Sequence, residues 1–290
     1  MKQLRIYCAL LVVLLVLPGT FTHGKSIFWE AKSPTATVYL LGSIHMGKDT
    51  MYPLKPVIEK AFQKSRALVV ELNINTVNQK EVMEELYYKD GKTLKTELSD
   101  SLYKKFEDTF KKLGVSIVLF HSFKPSALIQ TLSLLAYSKA GYKAELGVDV
   151  HFIKKAEKQK KEIIELETIE EQLDLLTDEA NDTSESYLYY ALDDFESSIT
   201  MVDSLMYSWL DGDSDRLDRL VNSQAGENQE NDEYMTKILD DRNYKMTDKI
   251  EGFLGTKKIY FVIVGAAHLV GEKGIVNLLL KTGKYTVKQL

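Results

Sequence analysis

Tyr39-Leu40-Leu41-Gly42-Ser43-Ile44-His45-Met46-Gly47 (YLLGSIHMG) is an apolar run that ends in a histidine fenced by two glycines. The residues leading into it, TATVYLL, are β-branched and aromatic, and the run is short enough to be a buried strand. A glycine just past a strand marks a turn or a close approach to the backbone. His45 is therefore expected on a loop at a strand end, the place where α/β folds present their ligands. The same device recurs near the far end of the chain. Residues 259–271 read IYFVIVGAAHLVG, a buried strand that runs into Gly265-x-x-His268, with Gly271 following as Gly47 follows His45. Only five histidines occur in the chain, and two of them occupy this repeated context.

Strand ends that are distant in sequence can lie side by side in one sheet, so two imidazoles can converge on one point. A third apolar strand, ALVVEL (67–72), carries Glu71 at its end. Two histidines and one carboxylate, with coordination positions left over, form a catalytic-type donor set for a divalent metal ion. Such an ion can lower the pKa of bound water to about 7 and polarise a carbonyl. The neighbouring glycines would allow backbone and substrate to come close.

Working outward, SIFWEA and TATVYLLGS flank Lys32-Ser33-Pro34 and read as a hairpin. Helices are expected over 54–65, 80–88, 100–113, 115–120, 125–140 and 149–160. KEIIELE (161–167) reads as a strand, and Thr168-Ile169-Glu170-Glu171 as a capping box opening a helix. From there to about residue 252 the chain is helical and polar. The strand 257–265, a helix over 274–281 and a terminal strand, YTVKQL, complete it. Strands at both ends with helices between predict an α/β fold: a mixed central sheet flanked by helices, with a largely helical insertion over about 175–255.

The first two dozen residues have a different character. Lys2 and Arg5 precede an all-apolar run, Ile6 to Leu17, followed by Pro18, Gly19, Thr22 and Gly24. This is the layout of a secretory signal peptide (1–24), with an uncleaved anchor as the alternative. The run is too short for an ordinary membrane span. Cleavage near Gly24 would leave one domain, 25–290, exported to the periplasm or the exterior, with no stable membrane span. It would also remove the single cysteine, Cys8, and with it any disulfide or thiol nucleophile. The formal net charge is −5, and loss of the signal makes it two units more negative. With no basic tract, nucleic acid and anionic membrane surfaces are excluded as main partners.

Eight collinear segments, YLLGSIHMG, LVVELN, FKPSAL, LGVDVHF, ELETIEEQL, WLDGD, DRNYKM and VGAAHLVGEKGI, resemble the TraB/GumN family, which includes the Tiki membrane proteases and pheromone-shutdown proteins. They span residues 26–290. The resemblance implies a metal-dependent hydrolase fold with two Gly-x-x-His motifs, similar to erythromycin esterase and to a family of haem-binding lipoproteins. It implies a peptidase using manganese, cobalt or zinc on a peptide or small-molecule substrate. His45, Glu71 and His268 carry over as metal or catalytic groups, and Arg242 and Asn243 of DRNYKM as substrate-binding or site-shaping residues. On composition alone, Arg242 and Asn243 read as solvated helix surface. Two rival readings are a haem- or peptide-binding protein without turnover and a metal-independent esterase with a histidine general base.

Other candidates have plainer readings. Glu165 and Glu167 share a strand face, and Glu167 could turn into the site, whereas Glu170 and Glu171 suit a helix start. Asp149 reads as a helix cap or a site residue, His151 as half-buried and His121 as a packing histidine. The stretch DGDSDRLDRL fails as a calcium loop, because Arg216 and Asn222 stand where glycine and glutamate are needed, and reads instead as a turn capped by Asp213 or Ser214.

Overall fold

The computed structural model describes residues 24–290, apart from 90, 177–183, 194, 224–232 and 234. The segment read as a signal peptide lies outside these residues up to position 23. Among the described residues no helix is long and apolar enough to cross a membrane.

Six strands build one mixed sheet: β1 (Phe28–Lys32), β2 (Thr37–Ser43), β3 (Ala67–Val70), β4 (Glu162–Glu165), β5 (Ile259–Gly265) and β6 (Thr286–Gln289), in the order β4-β3-β5-β2-β1-β6. The first four in that order run parallel, and β1 is antiparallel to both β2 and β6. The expected hairpin is β1–β2. The two repeated motifs sit on adjacent parallel strands one residue out of register, with Gly42 opposite Val264 and Ser43 opposite Gly265. β3 lies on the other side of β5, so Glu71 joins them at the same edge.

β5 is buried on both faces, which is why it reads as an unbroken apolar run. On one face Phe261 meets Phe62 of α1 (Pro56–Lys64) at 5.6 Å and Phe152 at 5.0 Å. On the other, Tyr260 meets Phe253 at 4.6 Å. Phe253 belongs to the helix Asp241–Leu254, whose Met246, Ile250 and Leu254 are buried in the sheet's core. The connection between β4 and β5 is largely helical. A second apolar cluster joins Leu94, Phe106, Phe110, Leu128 and Leu132, from the connection between β3 and β4, to Leu188 and Leu192, from the connection between β4 and β5. The stretch 175–255 thus serves both bodies. Val115–Phe120, expected as a helix, is a short 3-10 turn over Ile117–Phe120.

Gly42 is required by a close approach. A Cβ there would stand 2.5 Å from Cγ2 of Ile27 and 2.9 Å from the Cα of Ala266. Its carbonyl also accepts a 2.7 Å hydrogen bond from the buried Trp209 indole, which ties the helix Phe195–Asp211 to the strand end. Gly42→Ala should therefore destabilise the fold by about 1–3 kcal/mol through overpacking; urea denaturation measures this.

Candidate functional site

His45, Glu71 and His268 meet at the C-terminal edge of the sheet, around the Cα of Gly265. A Cβ placed on that glycine would be 3.4 Å from Cδ2 of His268, 3.5 Å from Oε1 of Glu71 and 3.7 Å from Nε2 of His45. The convergence follows from topology, since three adjacent parallel strands end together and each hands its next residues to the same crevice.

Each imidazole is tied back through its Nδ1. Nδ1 of His45 donates to Oδ2 of Asp149 at 2.8 Å. Asn243 gives its amide hydrogen to the Lys273 carbonyl at 3.1 Å, so its oxygen faces Nδ1 of His268 at 2.7 Å and receives that proton. Both Nε2 atoms are thereby left toward the common point. This leaves Asn243, only 2% exposed, with both ends of its amide engaged. It orients His268 and is neither the solvated surface residue that composition suggests nor a group free to grip substrate. Asp149 does not cap its helix, Val148–Lys158, where Gly147 is the N-cap without a side-chain bond.

Arg242 is likewise an internal residue. Nε and Nη2 form a two-pronged pair with Glu167, each at 2.6 Å, and Nη2 also reaches Oε2 of Glu71 at 2.9 Å. Nη1 donates to the Ile238 carbonyl in the π-helical turn Thr236–Asp240 that precedes its helix. Oε1 of Glu71 accepts the Gly265 N–H at 2.5 Å. Glu167 therefore shapes the site from below, while Glu165 turns away to accept the Asn73 N–H. Glu170 and Glu171 stay at the helix start, where Thr168 and Glu171 form the expected capping box. Asp213 caps its helix through the Arg216 N–H, His151 is half-buried beside Glu59, and His121 is exposed rather than packed, with Nδ1 on the Val118 carbonyl.

The charges divide the site. Burial works against ionised Glu71, but His268, His45, Arg242 and the Gly265 N–H together hold its carboxyl below the usual range. Burial pushes His268 down to about 4, so it is neutral at neutral pH and the charges facing Glu71 there are those of His45 and Arg242. For His45, crowding by the protein favours the neutral ring, yet the Asp149 hydrogen bond and the charges of Asp149 and Glu71 outweigh it and raise the ring to about 9. Its side chain is 64% exposed to the cleft.

Among the described residues no three His, Cys, Asp or Glu side chains lie close enough together to hold a metal ion as they stand. Nε2 of His268 stands 3.8 Å from Oε1 of Glu71. Two donors each about 2.1 Å from one tetrahedral ion stand about 3.4 Å apart, so a closure of a few tenths of an ångström would bring the Glu71–His268 pair to that separation. The donor types fit a divalent ion, and so does the tethering of each Nδ1 by an oxygen, the usual outer-shell arrangement of metal-binding histidines.

A cavity of about 500 Å³ opens over Glu71, Asp149 and Arg242, with His45 in its wall. Gly265→Ala tests the convergence point. The backbone there, φ −49° and ψ 138°, suits alanine, and the added methyl makes only ordinary contacts. Stability should change by less than about 1 kcal/mol, while activity falls by about 100-fold because the methyl occupies the point on which the three side chains converge. Thermal unfolding and a cleavage assay on the same sample check both.

The model of the TraB/PrgY/gumN family matches residues 27–289. Among curated proteins, the chain is 25% identical over 261 residues to the uncharacterized protein YbaP of Escherichia coli (strain K12), covering 89% of this chain and 94% of that one. It is 25% identical over 241 residues to YbaP of Shigella flexneri, covering 83% and 87%. An uncharacterized protein of Treponema pallidum (strain Nichols) is 23% identical over 287 residues, covering 91% and 83%. No solved structure matches. With a family model spanning nearly all of the described chain, the protein belongs to the TraB/PrgY/gumN family.

Proposed function

We propose that this chain is a hydrolase of peptide bonds that works with a divalent metal ion held by His45, Glu71 and His268. The observation that carries the reading is the meeting of the His45 and His268 rings and the Glu71 carboxylate around Gly265, with each histidine fixed by an oxygen partner at Nδ1. A bound ion of this kind supplies a polarised carbonyl and a water of lowered pKa. The chain's own residues do the rest. Asp149 and Asn243 hold the two rings in one orientation. Arg242, itself gripped by Glu167, holds the Glu71 carboxylate in place. His45, the most open of the three, places the ion at the mouth of the cavity where a substrate would enter.

The His45–Asp149 pair also supports a metal-free reading, in which His45 acts as a general base oriented by Asp149. A mixed peptide library digested by the protein and read by mass spectrometry separates the two. The metal reading expects cuts that vanish with chelator and return with manganese, cobalt or zinc; cuts indifferent to chelator would favour the general-base reading.

A further inference from the structure

The cleft is unequal on the two sides of His45. Beside the cavity that holds Glu71, Asp149 and Arg242, a second one of about 480 Å³ runs from His45 past Gly265 to His268. Its walls include Tyr137, Val202, Leu205, Leu217 and Ala267, and among the described residues no Asp, Glu, Lys or Arg side chain lines it. The size is that of a ligand pocket. Leu134 lines both cavities and is 53% exposed, an apolar side chain left to water at the mouth of a site.

Ser43 supplies an independent observation. It lines both cavities, is 3% exposed, and no described group hydrogen-bonds its Oγ. Its place opposite Gly265 in the β2–β5 register puts it beside the convergence point. A buried hydroxyl without a partner is unfavourable unless something that enters the site completes it. The Tyr142 hydroxyl, by contrast, is already committed to Asp203 at 2.6 Å.

We propose that the apolar chamber beside His268 is the selecting subsite. It takes one bulky aliphatic or aromatic side chain of an extended peptide, while Ser43 hydrogen-bonds the peptide backbone where the chain crosses from one cavity to the other. That the occupant is a peptide, and that this side chain flanks the bond to be cut, rests on the hydrolase reading above.

The test uses four capped heptapeptides that differ only at the central residue: phenylalanine, leucine, aspartate or lysine. Affinity is measured by calorimetry on chelator-treated protein, and cleavage on protein supplied with manganese. The phenylalanine and leucine peptides should bind about tenfold tighter or more than the aspartate and lysine peptides. Val202→Trp, which fills the chamber, and Leu205→Asp, which charges it, should each erase that preference. Should Leu205→Asp not fold, Val202→Trp carries the comparison. Ser43→Ala should weaken all four peptides alike, by about threefold to tenfold. Preferred binding without cleavage would support the subsite and count against the hydrolase reading. Cleavage without preference, or a preference that survives Val202→Trp, would overturn the subsite and leave the hydrolase reading standing. No binding and no cleavage would overturn both.

Discussion

Arg242→Met should destabilise the protein by about 3–5 kcal/mol, the largest loss expected from any single exposed-looking position in the sequence. The guanidinium is 15% exposed and sits between carboxylates that are 12% (Glu71) and 7% (Glu167) exposed. Removing it strands two buried negative charges, and the cost of an uncompensated buried charge exceeds what the intact pairing contributes. Arg242→Lys should recover only part of the loss, because an ammonium cannot reproduce the fork that holds Glu167 through Nε and Nη2. Combining Arg242→Met with Glu167→Leu should restore part of the stability, since an apolar pair of similar volume is often as stable as a buried ion pair while Glu71 still lacks its guanidinium. Urea denaturation of the three variants measures this. A loss below about 1 kcal/mol for Arg242→Met would show that water reaches the pair and that it is not an internal strut.

Glu71→Gln should cost catalysis far more than stability. The amide oxygen can still accept the Gly265 N–H, while its NH₂ meets Arg242 donor to donor, a loss of about 1–3 kcal/mol. The folded protein should therefore persist. Hydrolysis should fall by more than about 100-fold, because outer partners of metal ligands alone are worth about 10–100-fold and Glu71 is assigned to the ligand set itself. The same argument ranks Asp149→Asn between Glu71→Gln and the wild type. Cleavage of the peptide library, with circular dichroism on the same samples, separates the two effects. Equal cutting by wild type and Glu71→Gln would remove Glu71 from the mechanism.

The sheet and the convergence were legible in the sequence because they rest on local signals. Apolar runs mark β2, β3 and β5, and the glycines after two of them mark the crevice. His45, Glu71 and His268 follow directly from those runs. The supporting residues were not legible in the same way. Asn243 and Arg242 lie in a polar helix whose composition suits solvent, and nothing local says that its first turn abuts the strand ends, where Lys273 and Glu167 satisfy them. Asp149 stands where a helix cap is common, so its tie to His45 needed the tertiary fold. His121 misled in the opposite direction: aromatic neighbours in sequence suggested packing, but they pack away from it. The two-part helical body was hidden because its cluster pairs residues 94–136 with 188–195, a contact between segments on opposite sides of β4 in the chain.

The central claim is that His45, Glu71 and His268 hold a divalent ion. Its most direct measurement is calorimetric titration of manganese, cobalt and zinc into chelator-treated protein, in parallel with His45→Ala and His268→Ala. The account predicts a single site per chain for at least one of these ions in the wild type, with affinity reduced by more than about 100-fold in each variant while both stay folded. Binding of none of the three ions by the folded wild type, or binding unchanged in both variants, would contradict it.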